Sequence, residues 1–155
     1  MASESDRNEV AAGARPPAPP AIDGVLETAL YVADLDRSVA FFADDLGRPL
    51  LLRNTRMAAF DAGRRSVLLL FAQGRSAESM TVPGGVIPGH DGAGRLHMAF
   101  AIADADYAAW RAHLGGRGIA ITGEVEWPGG GRSLYFDDPD GHVLELATPG
   151  LWPNY

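Results

Sequence analysis

Glu27, His97 and Glu145 are the residues of this chain whose types and positions could hold a divalent cation. Each sits inside a short alternating apolar run, VLETALYV at 25–32, LHMAFAI at 96–102 and VLELA at 143–147, of the kind that forms a half-buried β-strand. Successive strand residues point to opposite faces, so Glu27 shares a face with Ala29 and Tyr31, His97 with Ala99 and Ala101, and Glu145 with Val143 and Ala147. A carboxylate or imidazole in that setting is costly to bury unless it is paired or ligates a cation. Nitrogen and oxygen donors without sulfur suit one divalent ion of Zn, Ni, Mn, Fe or Co, and three protein ligands leave positions open for water and substrate. The chain has no cysteine, which removes thiolate ligands, disulfides and a cysteine nucleophile. The plainer alternatives are a hydrogen-bonded core histidine at 97, a Glu145 that faces solvent or pairs with Arg132, and a Glu27 exposed on a half-solvated strand.

The strands that must carry these residues belong to an internal repeat. LETALYVADLD at 26–36 matches LHMAFAIADAD at 96–106 with a constant offset of 70 (96 − 26). FDAGRRSVLLLFAQG at 60–74 matches FDDPDGHVLELATPG at 136–150 with an offset of 76 (136 − 60). An insertion of about six residues in the second unit accounts for the change. The repeat makes Glu27 equivalent to His97, and Leu69 to Glu145. In the first unit the strand beginning at Val25 leads to a helix capped by Asp34 or Asp36, running through Val39, Phe41, Phe42 and Leu46, and stopped by Gly47. Short strands are expected at 49–53, 56–61 and 66–72.

Each unit therefore reads βαβββ, with its helix packed on the face of Leu30 and Val32, away from Glu27. The expected fold class is α+β, two tandem βαβββ modules with helices on the outer face, in one domain over 23–150. The modules span about 24–74 and 95–149, and the connector 75–94, rich in Gly and Pro, is too long and flexible to be a core element. Residues 1–22, ending in PPAPP at 16–20, are expected to form a flexible tail or an arm docked on a partner subunit, and 151–155 a C-terminal tail.

A chain of 155 residues can close one core without disulfides or a structural metal. The formal net charge of −7 argues against nucleic acid or an anionic membrane as a partner and leaves a small molecule. No apolar stretch approaches membrane-spanning length, and Glu4, Asp6, Arg7 and Glu9 occupy the region a signal peptide would need to be apolar, so a cytoplasmic location is expected.

The stretch LETALYVADLDRSVAFFADDLG at 26–47 resembles the opening signature of the vicinal oxygen chelate (VOC) superfamily, which includes glyoxalase I, fosfomycin-resistance and bleomycin-resistance proteins and extradiol dioxygenases. YFDDPDGHVLELATP at 135–149 resembles its closing signature. The resemblance covers about 24–149 and implies two βαβββ modules forming a cup-shaped mixed sheet around a divalent metal, commonly in a homodimer. Carried over by position, it implies Glu27, His97 and Glu145 as the metal ligands. Glyoxalase I takes a fourth ligand at the end of its first module, where this chain has Leu69, which cannot ligate. Extradiol dioxygenases resemble a site of two histidines and one carboxylate, from which Glu27 departs.

The resulting expectation is a glyoxalase-like, metal-dependent lyase or isomerase. Its metal would chelate vicinal oxygens of a small substrate while Glu27 or Glu145 moves a proton. The alternatives are a metal-free antibiotic- or metabolite-binding protein of the bleomycin-resistance kind and an extradiol-type dioxygenase. His90, in the glycine-rich connector, is expected to contact substrate or act as an acid-base group, and Arg132 to bind an anionic group or orient Glu145. Tyr31, Trp127, Arg53 and Arg56 are candidate pocket walls. His142, expected to be exposed in the DPDGH turn, and His113, on a helix, receive no role.

Overall fold

The computed structural model describes residues 18–155; the expected N-terminal tail lies outside them as far as residue 17. The first module runs β1 (Glu27–Val32), α1 (Leu35–Ala40), β2 (Leu50–Arg53), β3 (Met57–Gly63) and β4 (Ser66–Ala72). Asp34 is the residue that caps α1, its carboxylate accepting from the backbone N–H groups of Asp36 and Arg37 at 3.0 and 3.1 Å. The helix then widens into a π turn, Phe41–Asp45, which the apolar spacing does not announce. It buries the adjacent Phe41 and Phe42 side by side, with their rings edge-on at 5.3 Å. Gly47, at φ +61, ends the segment where a side chain would be strained.

The connector is more ordered than its composition suggests. It carries a small hairpin, β5 (Met80–Val82) and β6 (Gly85–Ile87), paired to each other and to no other strand. The second module repeats the first as β7 (His97–Ala101), a 3₁₀ turn Asp104–Asp106, α2 (Tyr107–Gly116), β8 (Ile121–Glu126), β9 (Arg132–Asp137) and β10 (Val143–Ala147).

Each module forms a four-stranded mixed sheet, in the orders β1-β4-β3-β2 and β7-β10-β9-β8. The outer strand of the βαβ unit pairs in parallel with the last strand of its module in both cases. The repeat holds residue by residue, since Glu27 lies opposite Val67 as His97 lies opposite Val143, and Ala29 opposite Leu69 as Ala99 opposite Glu145. Both offsets read from the sequence are thus preserved in the strand pairing.

The inner faces of the two sheets share one core, Leu30, Val32, Leu68 and Leu70 joining Phe100, Leu134, Phe136 and Leu144 under the helices. Strand alternation then turns Glu27 and His97 to the faces pointing away from that core. The closing turn of the second module clamps onto the first. Asp140 accepts from the Ala33 N–H at 2.9 Å and the Ser38 hydroxyl at 3.0 Å, and it pairs with Arg37. His142, contrary to expectation, is 1% exposed. Its Nδ1 accepts from the Leu96 N–H at 3.2 Å and its Nε2 reaches the Tyr31 carbonyl at 3.0 Å, so one imidazole bridges β1 to the start of β7. Burial follows because the DPDGH turn packs on the other module, a contact the local sequence does not reveal. His113 acts similarly, with Nε2 2.7 Å from the Asp45 carbonyl. The last five residues fold back, and the Tyr155 hydroxyl donates to the carbonyls of Ile102 and Ala147. No helix among the described residues is long and apolar enough to cross a membrane.

Candidate metal centre

The candidate ligands are divided between the modules. On the second, β7 and β10 are adjacent, and His97 Nε2 lies 3.3 Å from Glu145 Oε2. His97 Nδ1 is 3.0 Å from the Val143 carbonyl oxygen. A carbonyl only accepts, so Nδ1 carries a proton and Nε2 is the ring atom turned to the carboxylate. An imidazole nitrogen and a carboxylate turned to one another are donors of the type a borderline divalent ion takes. Glu145 is 3% exposed, whereas the His97 side chain is 53% exposed. The pair therefore has a buried, fixed member and an open, accessible one.

Glu145 is held by groups that the sequence reading did not single out. The Ser133 hydroxyl donates to Glu145 Oε1 at 2.5 Å, and the Trp127 indole N–H donates to Ser133 Oγ at 2.9 Å. Tyr135 lies directly opposite Glu145 across the β9–β10 pairing, and its ring centroid is 6.2 Å from that of His97. The Tyr135 phenol is pushed up from its ordinary value by burial first, then by its hydrogen bond to Glu145 and that carboxylate's charge. It stays a neutral O–H donor through the physiological range. The signal that finds both residues is β9's own alternation: Leu134 and Phe136 face the core, so Ser133 and Tyr135 must face the Glu145 side.

Arg132 is placed elsewhere. It shares the other face of β9, where its guanidinium pairs with Asp104 at 2.6 Å and lies 4.2 Å over the Tyr107 ring. It neither pairs with nor orients Glu145, a correction that the same alternation explains. Trp127 reaches the centre only through Ser133.

On the first module, Glu27 lies exposed on the wall of a cleft of about 480 Å³, with Tyr31, Arg56, Leu69, Phe71 and His90. The Tyr31 hydroxyl and His90 Nδ1 are 2.8 Å apart, and the His90 ring packs edge-on against Phe71 at 4.6 Å. The connector is shaped to hold this pair: the His90 N–H donates to the Ser76 carbonyl at 2.8 Å. A side chain at Gly92 would stand 2.4 Å from the Tyr31 ring, so the close approach requires glycine. Arg53 is not in this cleft; it pairs with Asp36 on the outer surface.

Within one chain, among the described residues, no three histidine or acidic side chains gather closely enough to hold a metal. The structure brings His97 and Glu145 together and leaves Glu27 on the other module's outward face.

A known family model, described as the glyoxalase/bleomycin resistance protein/dioxygenase superfamily, matches residues 24–146, a span that takes in both modules. The chain belongs to this superfamily. Among curated superfamily relatives, the metallothiol transferase FosB of Bacillus licheniformis is 28% identical over 83% of this chain and 77% of its own length. The glutathione transferase FosA of Serratia marcescens is 32% identical over 79% of this chain and 78% of its own. Among solved superfamily structures, lactoylglutathione lyase from Agrobacterium tumefaciens superposes with a TM-score of 0.78 at 31% identity, covering 88% of this chain and 99% of that one.

Proposed function

We propose that the protein is a divalent-metal-dependent enzyme whose centre joins His97 and Glu145 of one copy to Glu27 of a second copy in a homodimer. The observation that carries the reading is the His97–Glu145 pair: an imidazole Nε2 and a buried carboxylate 3.3 Å apart, each fixed from behind by a hydrogen bond. This donor set fits a borderline divalent ion, and outer-shell partners of this kind are what metal ligands ordinarily have. The outward placement of both half-sites and the exposed run Leu50-Leu51-Leu52 on β2, an outermost strand, support a second copy as the missing half.

When bound, the metal would polarise oxygens of a small substrate as a Lewis acid. The chain's own groups then have separable tasks. Ser133 donates to Glu145, and Tyr135 stands opposite it on the neighbouring strand, so the carboxylate is kept from swinging away. Glu27, solvent-accessible and able to move, is the group placed to take or return a proton. Tyr31 and His90 form a second proton-holding pair in the same cleft as Glu27.

The relatives' names, metallothiol transferase and glutathione transferase, favour addition of a thiol to a small oxygenated electrophile. Leu69 at the fourth-ligand position also fits a three-ligand centre. The second reading, a glyoxalase-type lyase, is favoured by the likeness to lactoylglutathione lyase. The test is to load the protein separately with Zn, Ni, Mn, Fe and Co, then follow thiol consumption with a small epoxide alongside formation of lactoylglutathione. Metal-dependent thiol consumption supports the transferase, and lactoylglutathione formation alone replaces it with the lyase. Absence of any bindable metal would leave only a ligand-binding protein. In Glu27→Gln, turnover lost with metal still bound supports the proton-transfer role, whereas unchanged turnover removes it.

A further inference from the structure

One cationic side chain in the first-module cleft lacks an anion. Arg37, Arg53, Arg95, Arg111, Arg117 and Arg132 each pair with a carboxylate. Arg56 does not: among the described residues no carboxylate lies within pairing distance, although Glu27 lines the same cleft. Its Nη1 rests 2.9 Å from the thioether sulfur of Met80, a weak acceptor, and its guanidinium carbon lies 5.6 Å from the Phe71 ring centroid. Its Nε is buried with no hydrogen-bond partner. The repeat sharpens the contrast, because Arg56 is equivalent to Arg132, which is fully engaged with Asp104 and Tyr107. In the first module the counterpart aspartate, Asp34, is spent on capping α1.

A half-buried guanidinium held by a sulfur and an aromatic face is an anion site without its anion. The Met80 side chain is flexible and sits on the exposed connector hairpin, so an oxyanion can displace it. Met57, Leu69, Phe71 and Ile87 give the cleft an apolar wall, with Thr28 and the Tyr31–His90 pair as its other polar groups. We infer that Arg56 anchors an oxyanion of the ligand, a carboxylate or phosphate-type group joined by a short apolar body to the part that reaches Glu27. Anion at Arg56 and reacting end at Glu27 set the ligand's direction in the cleft. This deepens the proposed function and rests on it only for what happens at the Glu27 end.

The test uses the full chain stripped of metal, so that it reads the Arg56 end alone. Binding of phenylacetate, phenyl phosphate and the neutral phenylacetamide is compared by chemical-shift titration. At least one anion is expected to bind about ten-fold more tightly than the amide, and which anion wins separates carboxylate from phosphate recognition. Arg56→Met is expected to lower the anions to the affinity of the amide while leaving the amide unchanged, which shows that the cleft has kept its shape. Arg56→Lys, which keeps charge without the planar fork, is expected to fall between. Arg53→Met, outside the cleft, is expected to bind as the unmodified protein does. Anions no better than the amide in the unmodified protein, or an anion preference that survives Arg56→Met, overturns the inference. Retention of the preference in His97→Ala would separate it from any failure of the metal reading.

Discussion

His97 Nε2 stands 3.3 Å from Glu145 Oε2, with the ring's other nitrogen tied to the Val143 carbonyl. That one relationship links the repeat to the chemistry, since β7 and β10 are adjacent in their sheet and the offset of Glu145 from His97 by two strand positions places both on one face. His97→Ala and Glu145→Gln are each expected to abolish stoichiometric metal uptake in elemental analysis of the purified protein. Full metal content in either variant would remove these residues from the centre.

Sharing of the centre between two copies has a sharp signature. Glu27→Gln and His97→Ala homodimers should both be inactive, but a mixed dimer built from one of each contains one site with both defects and one intact site. Subunit exchange between the two variants should therefore restore about a quarter of the unmodified activity at equal mixing, where half of the dimers are mixed. No recovery after demonstrated exchange would mean that each site is built within one chain.

Ser133 would act on a metal at this centre only through Glu145. Ser133→Ala is expected to weaken metal affinity by about 10- to 100-fold with little change in the unfolding midpoint of the metal-free protein. Trp127→Phe removes the donor to Ser133 and should produce a smaller loss of the same kind. Equal metal affinity in both variants, measured by competition with a chelating dye, would show that Glu145 needs no such support.

His142 should contribute to stability rather than to activity. Replacing it by alanine leaves the Leu96 N–H and the Tyr31 carbonyl without their buried partner, at a cost of about 2–4 kcal/mol in urea unfolding. A change below about 0.5 kcal/mol would mean that the imidazole bridge is dispensable.

Asp138 gives a pH dependence of definite sign. Burial pushes its carboxyl up from the usual range, against the opposing effects of the His142 N–H, the His142 side chain and the Asp140 N–H. Because the folded value exceeds the unfolded one, its contribution to stability is fully present below the unfolded value of about 4 and is lost as pH rises through the folded value. The unfolding free energy of the unmodified protein minus that of Asp138→Asn should therefore fall as pH rises from about 4. A difference that stays flat or rises with pH contradicts the burial account.

Much of this protein was legible in local pattern. Alternating residues with period two identified strands and assigned faces, and Asp34 and Gly47 marked the helical segment's ends because capping and left-handed backbone are local requirements. Two constant offsets aligned the modules, and β-pairing preserves such offsets, so the Glu27–His97 and Leu69–Glu145 equivalences survive in the strand register. Ser133 and Tyr135 were equally accessible to that reasoning through Leu134 and Phe136.

Packing between the modules decided the rest. Arg132 and Arg56 occupy equivalent positions, yet one is neutralised by Asp104 and the other faces a cleft, because the same aspartate position caps a helix in one module and remains free to pair in the other. The burial of His142 depends on a carbonyl more than 100 residues away in sequence, at Tyr31. Which residues point outward is a property of a single strand, and the sequence determined that much by itself. How two sheets share a core, which half-sites they leave facing out and which charges go unpaired are sums over distant contacts, and only the tertiary structure decided them.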